Sequence, residues 1–229
     1  MVYKPRLIDQ LFPAICLLCG AAASSGIDAC AGCIADLPLN GPACPGCAMP
    51  VPTAAVCGHC LQDPPQLSHA FCAFLYAYPV RELLLRFKNG DLAAGRMLSE
   101  LMAKQMGAEA ALPRADWTLV PVPLAPRRTG ERGFNQAERI ARVLGRRLDL
   151  PVEPRLVRRV RSSPDQKSLS AAERRRNLAR AFTASPCRGR RLILVDDILT
   201  TGATARALAQ SLLDAGAAEL RLWCLARAV

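Results

Sequence analysis

The run Leu192-Ile193-Leu194-Val195-Asp196-Asp197-Ile198-Leu199-Thr200-Thr201-Gly202-Ala203-Thr204 passes from an apolar stretch through two acids into a hydroxyl-rich loop. Its first part, Arg191 to Val195, reads as a strand buried on both faces, the habit of a parallel sheet. The loop then opens a helix over Thr204 to Ala215, with Gly216 as its cap. Backbone N–H groups, three threonine hydroxyls and a helix N-terminus together suit a phosphate dianion. Carboxylates at the carboxyl end of a parallel strand sit where ligands of α/β sheets bind, and they suit sugar hydroxyls. A phosphate beside a diol describes a ribose 5-phosphate. Adjacent acids point apart, so they cannot straddle a sugar as a glycosidase pair does. An ordinary capped helix would need one Asp and one Thr, and this loop exceeds that.

Outward from this loop, strands and helices alternate. Ala70 to Ala77 and Trp117 to Val122 read as strands, and Glu219 to Ala226 as the last one. Leu84, Leu85, Leu98, Leu101 and Met102 recur at helical spacing between Val80 and Met106, broken by Lys88-Asn89-Gly90-Asp91. Asn135 to Arg147 carries Ala137, Ile140, Ala141 and Leu144 on one helical face. The alternation predicts an α/β fold with a central parallel sheet.

Before Asp63-Pro64-Pro65, a natural linker, the pattern is different. Eight of the 11 cysteines form four C-x-x-C pairs, Cys16/Cys19, Cys30/Cys33, Cys44/Cys47 and Cys57/Cys60, separated by ten, ten and nine residues. Two thiolates two residues apart grip one metal from a tight turn, and two such knuckles complete a tetrahedral site. Four knuckles make two structural Zn²⁺ sites, shared either by sequential or by alternate pairs. A disulfide framework would suit a secreted chain, and redox C-x-x-C motifs come singly. His59 lies inside the last knuckle, but Cys57 and Cys60 flank it at the usual interval, which makes it a bystander. A segment this short lacks the apolar residues for its own core, so metal must hold it together. Cys72, Cys187 and Cys224 are left as small core residues.

The 229 residues are 51% hydrophobic, 21% charged and 5% aromatic, which excludes a disordered, collagenous or coiled-coil chain. Lys4 and Arg6 precede an uncharged run from Gln10 to Ile27, as in a secretory leader. Pro13, Gly20, Ser24 and Ser25 interrupt that run too often for a membrane span, and cleavage would remove two of the metal-site cysteines. The net charge is +11, and it is concentrated. Between Arg127 and Arg191 stand 19 Lys and Arg against 6 Asp and Glu, a local +13 that leaves −2 for the remainder. Such a block predicts a polyanionic partner.

Apolar strand, two acids, two apolar residues and Thr-Thr-Gly-x-Thr resemble the signature with which type I phosphoribosyltransferases bind phosphoribosyl pyrophosphate (PRPP). The remainder is similar to the ComF family, also described as GntX-like. The residues that carry this are Val120-Pro121-Val122-Pro123-Leu124 with Arg128, Arg132-Gly133-Phe134-Asn135-Gln136-Ala137, and Arg159 with Gln166, Leu169, Arg174, Asn177 and Phe182. The helix end Phe87-Lys88 and the four cysteine pairs agree as well.

The resemblance implies a type I phosphoribosyltransferase fold over residues 66–229, preceded by a small double zinc-ribbon domain over residues 1–65. It implies that Asp196 and Asp197 hold the ribose hydroxyls of PRPP, with Mg²⁺ bound mostly by the ligand's oxygens and water. Thr200, Thr201, Gly202, Ala203 and Thr204 would cradle the 5′-phosphate, and Arg127 and Arg128 would meet the pyrophosphate. The stretch from Arg159 to Arg175, with Arg174, matches a loop that closes over the site and neutralises the leaving group. The family's association with DNA uptake implies a cytoplasmic protein, with PRPP, single-stranded DNA and competence or helicase proteins as partners. Two readings follow: a phosphoribosyltransferase acting on an unidentified acceptor, or a PRPP-responsive adaptor for single-stranded DNA.

Overall fold

The computed structural model describes residues 14–23, 27–53, 55–107, 116–124, 130, 133–160 and 181–229. Among these residues, six strands run in chain order as β1 (His69–Leu75), β2 (Trp117–Pro121), β3 (Val157–Arg159), β4 (Phe182–Ala184), β5 (Arg191–Leu199) and β6 (Glu219–Arg227). The helices are α1 (Ala31–Ala35), α2 (Gly58–Gln62), α3 (Val80–Lys88), α4 (Leu92–Gly107), α5 (Gln136–Leu148) and α6 (Ala203–Asp214). Four strands form one sheet in the order β1-β6-β5-β2, and every pairing in it is parallel. This is the parallel α/β sheet that the alternation of elements predicts. Among the described residues no helix is long and apolar enough to cross a membrane.

Burial follows from the sequence. Leu192, Ile193, Leu194 and Val195 are all fully buried, because helices cover both faces of the sheet. Ile193, Val195, Trp223 and Leu225 face a core built with α3, α4 and α5. Leu192, Leu194, Leu222 and Cys224 face a second core built with α6 and the β3–β4 hairpin. Helix α5 shows why its residues fold as they do. Asn135 caps it by accepting the Ala137 N–H at 3.0 Å, Glu138 stands in the first turn and Arg146 and Arg147 in the last, matching the helix dipole.

Several boundaries differ from the sequence reading, most by a residue or two. The strand read as ending at Val195 continues to Leu199, because Asp196, Ile198 and Leu199 stay in register with Cys224, Ala226 and Arg227 of β6. The first strand stops at Leu75, and α6 ends at Asp214 with Ala215 as its cap and Gly216 after it. The antiparallel β3–β4 pair leaves no mark in the sequence, since its three-residue strands are too short to show a period.

The cysteine-rich segment covers the free edge of β1. Leu39 bridges Phe74 in antiparallel fashion, with Asn40 N–H donating to Ala73 at 3.1 Å and Leu75 N–H to Pro38 at 2.8 Å. Lower on the strand, Ala70 N–H donates to Pro45 at 2.7 Å. Cys16, Ala29 and Leu37 enter the first core and Ala48 the second. Arg96 pairs with Asp28 at 2.5 Å, Arg86 donates to the Leu17 carbonyl at 3.1 Å, and Arg206 pairs with Asp63. An edge that would otherwise invite pairing with another chain is thereby closed.

Close packing gives one direct test. A Cβ on Gly145, inside α5, would lie 2.6 Å from Val152 Cγ2 and 2.8 Å from the Leu150 carbonyl oxygen. Helix propensity alone favours alanine by about 1 kcal/mol, while such overpacking costs about 1–3 kcal/mol. Gly145→Ala is therefore expected to lose stability in denaturant unfolding of the zinc-loaded protein. A variant as stable as the parent would contradict this packing.

Candidate functional site

The carboxyl end of β5 gathers the residues singled out in the sequence. Alternation along the strand sends its two acids to opposite faces. Asp196 lies opposite Cys224 and, with Thr200 to Ala205, lines a small cleft of about 50 Å³. Asp197 turns to the other face, where its Oδ2 meets Lys88 Nζ, at the end of α3, at 2.9 Å. The Asp197 N–H donates to Asp196 Oδ1 at 2.9 Å, and the Ile198 N–H to Asp197 Oδ1 at 2.8 Å. Burial raises the Asp196 carboxyl well above its ordinary value, and the charge on Asp197 adds to this, against smaller opposing effects from the Asp197 N–H and Lys88. The sign is definite. A carboxyl whose folded pKa is raised destabilises the fold as pH climbs from its ordinary value of 3.8 through the raised one.

Gly202, in the left-handed region at φ 73°, turns the chain from strand into α6. Gly202 has no side chain to cap the helix, and among the described residues only the Thr201 hydroxyl reaches back, accepting from the Ala203 N–H at 3.4 Å. The first turn of α6 thus presents its N–H groups to the cleft, as an anion site requires.

Arg159 ends β3 with its guanidinium 5.4 Å above the Phe182 ring, on the hairpin rather than in the group around Asp196. Arg127, Arg128 and Arg174, together with 161–180, lie outside the described residues. Asn135 donates to the Val122 carbonyl at 3.0 Å, tying the start of α5 to the end of β2 where the 125–129 segment begins. In the sequence Lys88 stands only in a helix break and at the helix end that carries the family resemblance. Its meeting with Asp197 is a tertiary contact with no local signal.

The cysteines gather as sequential pairs. Cys16, Cys19, Cys30 and Cys33 bring their sulfurs within 4.8 Å of one another, and so do Cys44, Cys47, Cys57 and Cys60. His59 belongs to neither set. Sulfurs of Cys19 and Cys30, and of Cys47 and Cys57, stand 3.6 Å apart. A ZnS₄ tetrahedron with bonds of about 2.3 Å has edges of about 3.8 Å. Burial pushes the Cys16 thiol up, but N–H groups of Cys30, Cys19 and Leu18 outweigh it and bring it down to about 6. Cys44 behaves alike, with burial overcome by N–H groups of Cys57, Gly46 and Cys47, and reaches about 6. Cys33 and Cys60 are raised, Cys33 chiefly by the Cys19 and Cys30 sulfurs and Cys60 by burial and then by the Cys47 sulfur. Four sulfurs this close cannot all be thiolates without a cation among them, so the donor sets fit structural zinc. Cys72, Cys187 and Cys224 are free and fully buried.

Residues 7–61 match the double zinc ribbon domain family, and residues 131–228 match the phosphoribosyl transferase domain family. The chain is a double zinc ribbon joined to a phosphoribosyltransferase domain. It is 35% identical to the DNA utilization protein YhgH of Escherichia coli, over 94% of this chain and 97% of that one. Competence protein F of Haemophilus influenzae is 36% identical over 75% of this chain and 78% of its own. Competence protein ComFC of Bacillus subtilis is 29% identical over 89% and 90%. With these relatives, the chain belongs to the ComF family.

Elemental analysis of the purified protein should find two zinc ions per chain. Cys16→Ser with Cys19→Ser should leave one and lower the unfolding temperature, since structural metal binding is folding free energy. Four disulfides by mass spectrometry, with no zinc, would overturn both sites.

Proposed function

We propose that the carboxyl end of β5 binds PRPP and that the protein serves DNA uptake as a phosphoribosyltransferase-like component. One observation carries this reading: two carboxylates and the Thr200–Thr204 loop meet at one strand end, where the loop lines a cleft. In this reading Asp196 and Asp197 take the ribose hydroxyls, and Thr200, Thr201, Gly202, Ala203 and Thr204 take the 5′-phosphate. Mg²⁺ suits these hard oxygen donors together with the ligand's own, and when bound it supplies charge neutralisation for the pyrophosphate. Arg127, Arg128, Arg159 and Arg174 supply the remaining positive charge on the leaving group. Closure of the segment from Arg159 to Arg175 keeps water from hydrolysing the ligand. The linker at Asp63-Pro64-Pro65 divides the two domains at residues 65 and 66. Free buried thiols and thiolate metal sites suit a reducing compartment, which favours the cytoplasm.

Isothermal calorimetry with Mg-PRPP tests this directly. The parent should bind, and Asp196→Asn with Asp197→Asn should bring binding below detection while zinc content stays at two. A double variant that binds like the parent would make the signature structural only.

A surface observation favours the adaptor reading alongside the enzymatic one. Several arginines of the basic block are matched by acids: Arg142 by Glu138, Arg147 by Glu100 and Arg190 by Glu153. Arg139, Arg146, Arg155, Arg158 and Arg188 are exposed and have no acidic partner among the described residues. Relatives named for DNA utilization and competence support a nucleic-acid partner, with competence or helicase proteins beside it. Single-stranded DNA on such a surface binds through phosphates with little sequence preference. A labelled oligonucleotide should bind at low salt with a log–log salt slope of roughly −3 to −5 for about five to seven contacts. Mg-PRPP should compete for part of it. Absence of binding at low salt would leave the enzymatic reading alone, to be followed by pyrophosphate release from PRPP with candidate bases and DNA.

A further inference from the structure

Arg227, the last residue of β6, is 6% exposed. Its Nη1 donates to the carbonyls of Leu199 at 2.8 Å and Thr200 at 2.6 Å, and also to that of Ala228. Its Nε is buried without a hydrogen-bond partner, and among the described residues no carboxylate pairs with the guanidinium. An arginine cannot escape burial by losing its proton, so a full positive charge is held where β5 becomes the threonine loop. A neutral amide would suffice to bond strand-end carbonyls. The charge therefore asks for an anion.

The same contact sets the direction of the loop's donors. A trans peptide is planar, with its N–H opposed to its C=O. Holding the Leu199 and Thr200 carbonyls on Arg227 turns the N–H groups of Thr200 and Thr201 to the opposite side. Among the described residues these N–H groups find no protein acceptor, and Thr200 and Thr201 line the cleft. The nearby acids Asp196 and Asp197 repel an anion, so donors and charge must come from elsewhere. Arg206, in the first turn of α6, is engaged by Asp63.

We propose that Arg227 is a positioning residue for a phosphate monoester in the Thr200–Thr204 loop. It aims the Thr200 and Thr201 N–H groups into the cleft and places a buried positive charge behind them. The inference rests on the reading of this loop as the phosphate subsite of PRPP.

The test uses the full zinc-loaded chain, with ribose 5-phosphate and Mg-PRPP as probes. In ¹⁵N spectra of the parent, the Thr200 and Thr201 amide protons should move downfield on addition of ribose 5-phosphate. Arg227→Gln, which keeps donors but not charge, should weaken ribose 5-phosphate by roughly ten- to hundredfold in calorimetry. Arg227→Lys, which keeps charge, should recover part of that loss, whereas a purely structural role predicts no rescue tied to charge. If the parent binds and both amides stay put, or Arg227→Gln binds as tightly as the parent, the inference falls and the PRPP reading stands. If the parent binds neither probe, both fall. The amide shifts need no variant, so a variant that fails to fold does not protect the proposal.

Discussion

The ion pair between Lys88 and Asp197 is the contact on which the rest of the structure leans. Two adjacent carboxylates at the end of a buried strand repel each other, and low local dielectric magnifies the repulsion. Lys88 answers one of them at 2.9 Å, and both side chains are largely shielded from solvent. For the lysine to stand there, α3 must lie across the carboxyl edge of the sheet. Phe87 anchors that helix by packing on Phe134, with ring centroids 5.6 Å apart, and by lying so close to Gly95 that a Cβ there would meet it at 2.4 Å. Arg86 then joins the helix to Asp91 and to the carbonyl of Leu17, inside the first cysteine knuckle. A single line of contacts therefore runs from the first cysteine cluster to the paired carboxylates of β5.

That line changes what the ribbon is for. A metal-held segment could have hung from the linker as a separate bead. Instead its backbone continues the hydrogen bonding of β1, and its apolar residues enter both cores. The free energy of metal binding is spent on orienting α3 and closing a sheet edge as well as on folding sixty residues. The ion pairs Arg96–Asp28 and Arg206–Asp63 are exposed and contribute little energy, but they join the ribbon to α4 and α6.

Much of this was legible because the chemistry is local. Eight cysteines in C-x-x-C pairs and an acid pair before a threonine loop carry their meaning in consecutive residues. The extension of β5 through Asp196 to Leu199 was not legible, because aspartates read as turn formers while pairing with β6 holds them extended. Spacing left sequential and alternate sharing of the metals equal, and only the folded loops bring the sequential pairs together. Lys88 and Arg227 escaped for a common reason. Each is an ordinary helix-end or strand-end cation in sequence, and each gains its role from a residue more than twenty positions away.

The strand order has a consequence for how the protein is made. β6 lies between β1 and β5, although it is the last of the four strands to be synthesised. A nascent chain can load its thiolates and cover one side of β1 early, since those residues leave the ribosome first. The other side of β1 and the site-bearing strand then share no neighbour until residues 219–227 emerge, and the guanidinium beneath the threonine loop arrives with them. The strand end that carries Asp196 and the threonine loop is thus completed only once β6 is in place. An interrupted chain would carry a finished ribbon and an unfinished pocket.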